Sequence, residues 1–286
     1  MQAVGNAAPM VATVEMERVW DRTAAFIRGH AVALFALGGL ALFAPTVALA
    51  IAEAAVDGAD GATRGLLSVV QIAGSLLMLW AELAVVALAI LPGALGPAMR
   101  QAGLRLAVVI GFALLLTLAL LLLGVPVIGI LAGYGFDFTA AAVGEEVMPS
   151  AAAAAWIALY GLVLLPLLLW VGARLSLLAP VVLAERRGLR AFARSFALTR
   201  GLAARIIGVL LLYGVVRLVL TSAVRFAAGT VFAIAFGSDD GLGIASILTR
   251  VSTGLVETAL AVLLWAFTGK LYLEACQRQD GTAAHR

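Results

Sequence analysis

Between Arg28 and Glu53 the chain carries no Asp, Glu, Lys or Arg. An uncharged apolar run of that length supplies the roughly 20 residues a helix needs to cross about 30 Å of hydrocarbon. Five more such runs follow: about 65–91, interrupted by Glu82, then about 104–132, 151–183, 205–236 and 244–274. Little chain is left between them, so 64% of the residues are hydrophobic and only 12% charged, against about 25% charged in a soluble domain. A water-soluble single domain is excluded. A β-barrel is excluded too, because barrel strands alternate polar and apolar residues over about 10 positions. The predicted class is all-α, a polytopic transmembrane bundle of six spans at 29–274, with an N-terminal segment at 1–28 and a tail at 275–286.

Breakers sit where spans should end or bend. Pro92, Gly93, Gly96 and Pro97 close the second span, and Pro166 and Pro180 mark kinks or local ends in the fourth. Gly124, Pro126 and Gly129 in the third span, with Pro166, have the composition of the broken helices that transporters place around a central site. No residue-level repeat relates the two halves. A cleaved signal peptide is the rival reading of the first span, but Glu15, Glu17 and Asp21 precede it and its apolar run exceeds the usual 7–15 residues.

Six spans put both termini on one side, and charge selects it. Segments on that side hold 14 Arg and Lys, and the opposite loops hold only Arg64 and Arg250. The positive-inside rule makes both termini cytoplasmic. The net charge of +3 is thereby explained without nucleic acid. Eighteen Arg against one Lys, with abundant Ala and Gly, has the bias of a GC-rich bacterial genome, so a bacterial inner membrane is expected. Cys276 is the only cysteine, and His30 and His285 are the only histidines. No metal, cofactor or acid/base constellation is expected from them.

Two groups of charges single themselves out. After the fourth span come Arg186, Arg187, Arg190, Arg194 and Arg200, with Leu189, Phe192 and Phe196 at helical spacing. This reads as a short basic helix lying at the cytoplasmic interface, either setting topology alone or also binding anionic headgroups or a membrane-protein partner. The segment from Val11 to Arg28 reads as a second surface helix, anchored in the membrane by Val19, Trp20 and Phe26, or as an extension of the first span. Inside the spans stand Glu82, Arg174, Arg217, Arg225 and Glu257, each costing at least about 2.5–3.5 kcal/mol unless paired, hydrated or able to reach the interface. Position along the helices predicts pairs Arg217 with Glu257 and Glu82 with Arg174, and leaves Arg225 without an acid.

The stretch RLSLLAPVVLAERRGLRAFARSFALTR, from Arg174 to Arg200, followed by Gly201 and a further span, resembles the membrane domain associated with bacterial glycerophosphodiester phosphodiesterases and its free-standing relatives. The matching positions are Arg174, Pro180, Glu185, Arg194, Ser195, Leu198, Thr199, Arg200 and Gly201. The resemblance implies a six-helix membrane fold more than an activity. In fused members the hydrolytic chemistry belongs to a separate soluble α/β barrel that uses a His pair and metal-binding carboxylates, which no segment here supplies. The expectation is a non-enzymatic protein that organises lipid or a partner, with a small-solute or lipid transporter using the central charges as the alternative.

Overall fold

A computed structural model describes residues 14–56, 61–91, 93–142, 145–185, 188–237 and 243–284. These residues are helical nearly throughout, with no strand among them. The first helix, α1 (Met16–Gly29), leads into span one, made of α2 (Ala31–Leu37), a π-helical turn (Gly38–Phe43) and α3 (Ala44–Val56). Spans two and three are α4 (Gly61–Ile90) and α5 (Leu95–Gly133), followed by the one-turn α6 (Phe138–Ala142). Next come α7 (Ala151–Leu175), α8 (Leu178–Glu185), α9 (Arg190–Leu198), α10 (Ala203–Phe236) and α11 (Ile244–Ala284). Six stretches of these helices are long and apolar enough to cross a membrane, the fourth being α7 and α8 taken together. The chain is an integral, multi-pass membrane protein.

Helix starts and breaks follow local chemistry. Ser150 opens α7 by accepting from the Ala153 N–H at 3.2 Å, satisfying one donor that the first turn leaves open. Pro97 and Pro180 fall in the first turns of α5 and α8, where a missing N–H costs no hydrogen bond. Gly96 and Pro97 therefore begin the third span instead of merely closing the second. At Ser176 and Leu177 the fourth span breaks, and α8 starts as a separate helix. Pro126 and Pro166 are accommodated inside α5 and α7, so the broken helix expected around Gly124 and Gly129 does not form. At about 1.5 Å per residue the 39-residue α5 is far longer than the hydrocarbon is thick. The last helix also runs unbroken to Ala284 through most of the expected tail.

The core lies at one end of the bundle, where α1 meets the end of α11. We call this the terminal side and the opposite end the far side. Small residues let α4 and α11 touch there. A Cβ on Gly269 would stand 2.6 Å from the Ala89 Cβ and 3.3 Å from the Val86 carbonyl oxygen, so only glycine permits this approach. Lys270 Nζ donates to the Ala89 carbonyl at 2.7 Å and lies 4.6 Å from the Phe26 ring centroid, placing a cation at the negative end of α4.

The side chains expected to anchor the N-terminal segment in the membrane pack against the protein, 11–13 lying outside the described residues. Val19 and Phe26 are buried, Trp20 packs on Phe267 at 4.6 Å, and Arg18 and Arg22 reach Glu274 at 3.4 and 2.7 Å. Burying α1 against α11 offers its apolar stripe more protein contact than the headgroup region would, and the two arginines neutralise a carboxylate that is itself buried.

Candidate functional site

The segment between spans four and five forms a floor under the bundle. Leu178, Val181, Val182 and Leu183 of α8 are buried, and Gln101 of α5 donates to the Leu183 carbonyl at 2.7 Å. The chain then turns through Gly188 into α9, whose Ala191, Ser195 and Leu198 face inward. Phe192 meets Phe112 of α5 edge-on at 4.9 Å, and Phe196 meets Trp170 of α7 at 6.0 Å. The aromatic stripe expected to dip into the interface is instead spent on spans three and four.

Arg194 was expected to face headgroups, but it points into the protein. Its Nε donates to both Glu185 oxygens at 2.9 and 3.0 Å, and its Nη1 donates to the Gln279 side-chain oxygen. Tyr272 donates its hydroxyl to the same carboxylate at 3.1 Å. Burial works against the Arg194 charge, but the hydrogen bond and charge of Glu185 outweigh it and hold the guanidinium above its ordinary value. The result is a latch joining α8, α9 and α11. Of the remaining basic positions, Arg190 and Arg200 are exposed, while Arg186 and Arg187 lie outside the described residues. The Arg200 carbonyl accepts from Arg278 Nη1 at 3.3 Å.

The two ion pairs expected inside the membrane do not form. Arg174 turns to the floor, where its Nη1 donates to the Phe196 carbonyl at 3.0 Å and its guanidinium stands 5.2 Å from the Trp170 ring centroid. In return its own carbonyl accepts from Ser195 Oγ at 2.6 Å. A helix-end carbonyl and a π face thus do for Arg174 what Glu82 was expected to do. Arg217 and Glu257 also make no ion pair among the described residues.

Glu82, Arg217 and Glu257 nevertheless all lie within electrostatic reach of one residue, Tyr213. Glu82 of α4 interacts with Trp265 of α11 and with the charge of Arg217. Tyr213, one helical turn from Arg217 on α10, interacts with Arg217, Glu82 and Glu257 together. Glu82 and Glu257 are half-buried and Arg217 is exposed. Arg225 stays apart, exposed on a shallow groove of α10 beside Phe226, Gly229 and Thr230. Tyr213 and Trp265 were missed in the sequence; the four-residue step from Tyr213 to Arg217 was the available signal for the first.

Directly above α8 lies a cavity of about 340 Å³. Its walls are Phe112 and Leu116 of α5, Gly172 and Leu175 of α7, Leu210 of α10, and Leu264, Trp265 and Thr268 of α11, with Leu178 and Val182 of α8 beneath. Trp265 therefore lines the apolar cavity and interacts with Glu82 as well. His30 stands apart from both, its Nδ1 3.1 Å from the Phe26 carbonyl, and His285 lies outside the described residues. Compared with protein-family models, curated proteins and solved structures, the chain matches none.

Proposed function

We propose that this is a non-enzymatic protein of a bacterial inner membrane, with both termini cytoplasmic, that organises lipid by holding an apolar chain inside its bundle. The observation that carries the reading is the apolar cavity of about 340 Å³ lined by α5, α7, α10 and α11 and floored by α8. Its size falls within the roughly 300–1,000 Å³ of small-molecule sites, and an apolar space of this size at membrane depth is filled at low cost by a hydrocarbon tail. The likeness of 174–201 to the phosphodiesterase-associated membrane domain supports the same reading, since those residues make the floor and its latch. A Gly172→Trp substitution tests it, because a Cβ at Gly172 meets nothing within 4 Å and the indole would occupy the cavity. Protein purified in mild detergent should carry stoichiometric lipid detectable by mass spectrometry, and the variant should lose it. Equal lipid content in both would refute the reading.

The second reading, a transporter of lipid or a small solute, is favoured by one observation: Glu82, Arg217 and Glu257 stand in membrane-spanning helices, and Trp265, which lines the cavity, also interacts with Glu82. Charges in a membrane interior are characteristic of translocation routes. Orientation is checked by reporter fusions, which should be cytoplasmic at Gly188 and at the C-terminus and periplasmic at Gly58, Gly144 and Gly241.

A further inference from the structure

We infer that an anionic phospholipid binds outside the bundle on the terminal side, its phosphate on Arg174 and Arg200 and one acyl chain along α7. The site is separate from the cavity, which takes Gly172, Leu175 and Ser176 from another face of α7, and it does not depend on the cavity being filled.

The first observation is the setting of Arg174. Its Nη1 donates to the Phe196 carbonyl at 3.0 Å, and the Trp170 and Phe196 ring centroids stand 5.2 and 5.9 Å from its guanidinium carbon. These groups fix the side chain, but all are neutral and none cancels its charge. No carboxylate stands within ion-pair distance of it among the described residues. Its Nε is buried without an acceptor, and its Nη2 has none among the described residues either. The side chain as a whole is only half-buried, so the fork is held in place with donors to spare. In a membrane a cation so placed calls for an anion, and a planar guanidinium matches a phosphate.

The second observation is the company it keeps. The Ser195 and Thr199 hydroxyls donate to the Arg174 carbonyl at 2.6 and 3.5 Å, which ties the end of α9 to the end of α7 and sets Arg200 in the adjoining turn. The Arg200 side chain is exposed and has no acceptor among the described residues. Arg278 of α11 donates to the Arg200 carbonyl at 3.3 Å, so a third guanidinium borders the same turn. Glu185 and Glu274 are taken by Arg194 and by Arg18 and Arg22. Asp280 lies two residues beyond Arg278 and therefore on another face of α11.

The third observation distinguishes a lipid from a free anion. Val163, Leu167 and Trp170 lead to Arg174 at helical spacing and are 70%, 50% and 42% exposed. They belong to the fourth membrane-spanning stretch, so this stripe faces hydrocarbon. From Val163 to Arg174 it runs about 16 Å, close to half of the roughly 30 Å hydrocarbon thickness and so to one leaflet. Trp170 then stands at the depth where indole rings collect beneath headgroups. A soluble phosphate would use the cations and leave the stripe, whereas an uncharged lipid would use the stripe and leave the cations.

Full-length protein in maltoside detergent is titrated with phosphatidylglycerol or with phosphatidylcholine of the same chains, and the one-lipid complex is read by native mass spectrometry. Phosphatidylglycerol should bind at least about tenfold more tightly. Arg174→Gln and Arg200→Gln should each weaken it by about fivefold without weakening phosphatidylcholine, and Arg174→Lys, which keeps the charge, should recover part of the loss. Leu167→Asn should weaken both lipids alike. A monodisperse elution profile identifies folded variants, and the exposed Arg200 keeps the test decisive should Arg174→Gln not fold. Gly172→Trp, which fills the cavity, should leave the preference intact. Equal binding of the two lipids overturns the inference, as does a preference that survives Arg200→Gln. A preference lost in Gly172→Trp moves the lipid to the cavity and overturns it also. Complete displacement by millimolar inorganic phosphate would make the site one for a free anion, again against the inference. None of these outcomes touches the reading of the cavity, which the lipid content of Gly172→Trp decides.

Discussion

The terminal and far halves of this bundle are built from the same apolar alphabet and pack in opposite ways. On the terminal side Val85, Val86, Ala102, Val181, Ala191 and Ala266 are buried almost completely, and side chains from α1, α4, α5, α7, α8, α9 and α11 exchange hydrogen bonds there. On the far side Leu121, Leu122, Leu162, Val163, Val219 and Ile234 are all more than half exposed, and Gly124 and Gly161 have nothing near the position of a Cβ. Hydrophobicity alone therefore does not decide packing in a membrane, where lipid is as apolar as leucine. What distinguishes the terminal half is small residues at crossings, together with polar side chains that find carbonyls, carboxylates or rings. The far half has less of that glue among the described residues, as where Tyr160 donates to the Leu123 carbonyl at 2.6 Å and Gly254 meets Val47 and Thr46, and offers more of its surface to lipid.

The sharpest test of this contrast is Gly269→Leu, which drives a side chain into Ala89 and should cost about 3 kcal/mol or more, seen as a collapse of the thermal midpoint in detergent. Gly161→Leu in α7 should leave that midpoint nearly unchanged. If the two variants behave alike, the division into packed and open halves is wrong. Next in size is Arg194→Gln. It removes the guanidinium from Glu185, whose side chain is 14% exposed and keeps the Tyr272 hydroxyl; a fully buried pair would lose about 3–5 kcal/mol, and partial exposure brings the expectation to about 2. Arg190→Gln, at an exposed position of the same helix, should stay within about 0.5 kcal/mol. Urea or thermal unfolding of the paired variants checks both.

Lys270→Met removes the ammonium from the α4 terminus and from Phe26 and should cost about 1 kcal/mol. Gly124→Ala on the far side should instead raise stability by about 0.5 kcal/mol through helix propensity, with no contact to disturb. The smallest effect concerns the far-side loop. Asp137 accepts from the Thr139 hydroxyl at 2.6 Å and from the Thr139 and Ala140 N–H groups at 2.9 and 3.0 Å. The Thr139 hydrogen bond foremost, and the two amides after it, hold the carboxyl below its ordinary value. A lowered folded-state pKa means that the cap is in place above the ordinary aspartate range and is lost as pH falls through the lowered value. Hydrogen exchange at the Thr139 and Ala140 amides should accelerate there, while the amides around Ala89 remain protected.

The spans were legible because twenty uncharged residues in a row leave the backbone no other means of hydrogen bonding in lipid. Pro180 likewise announced the local end that separates α7 from α8. Side-chain partners were not legible. The pairing of Glu82 with Arg174 assumed that a buried cation seeks an acid, whereas Arg174 and Lys270 take the carbonyls of Phe196 and Ala89. No sequence pattern marks which carbonyls a helix end leaves open toward a neighbour. The same gap hid the inward turn of Arg194, whose partners Glu185 and Gln279 come from different helices. The mid-span charges fared better: Arg217 and Glu257 do share a neighbourhood, but it includes Tyr213, Trp265 and Glu82, which spacing on a single helix does not disclose.

The docking of α1 on α11 has a bearing on how the chain is made. Arg22 and its partner Glu274 are separated by 252 residues, and the latch on α9 closes through Tyr272 and Gln279. A nascent chain has every other span in place before these contacts become possible, so α1 stays undocked and the latch on α9 incomplete until the last helix is made. A product truncated before Phe267 would leave the apolar stripe of α1 without the helix it packs on, and would leave Arg194 with Glu185 alone.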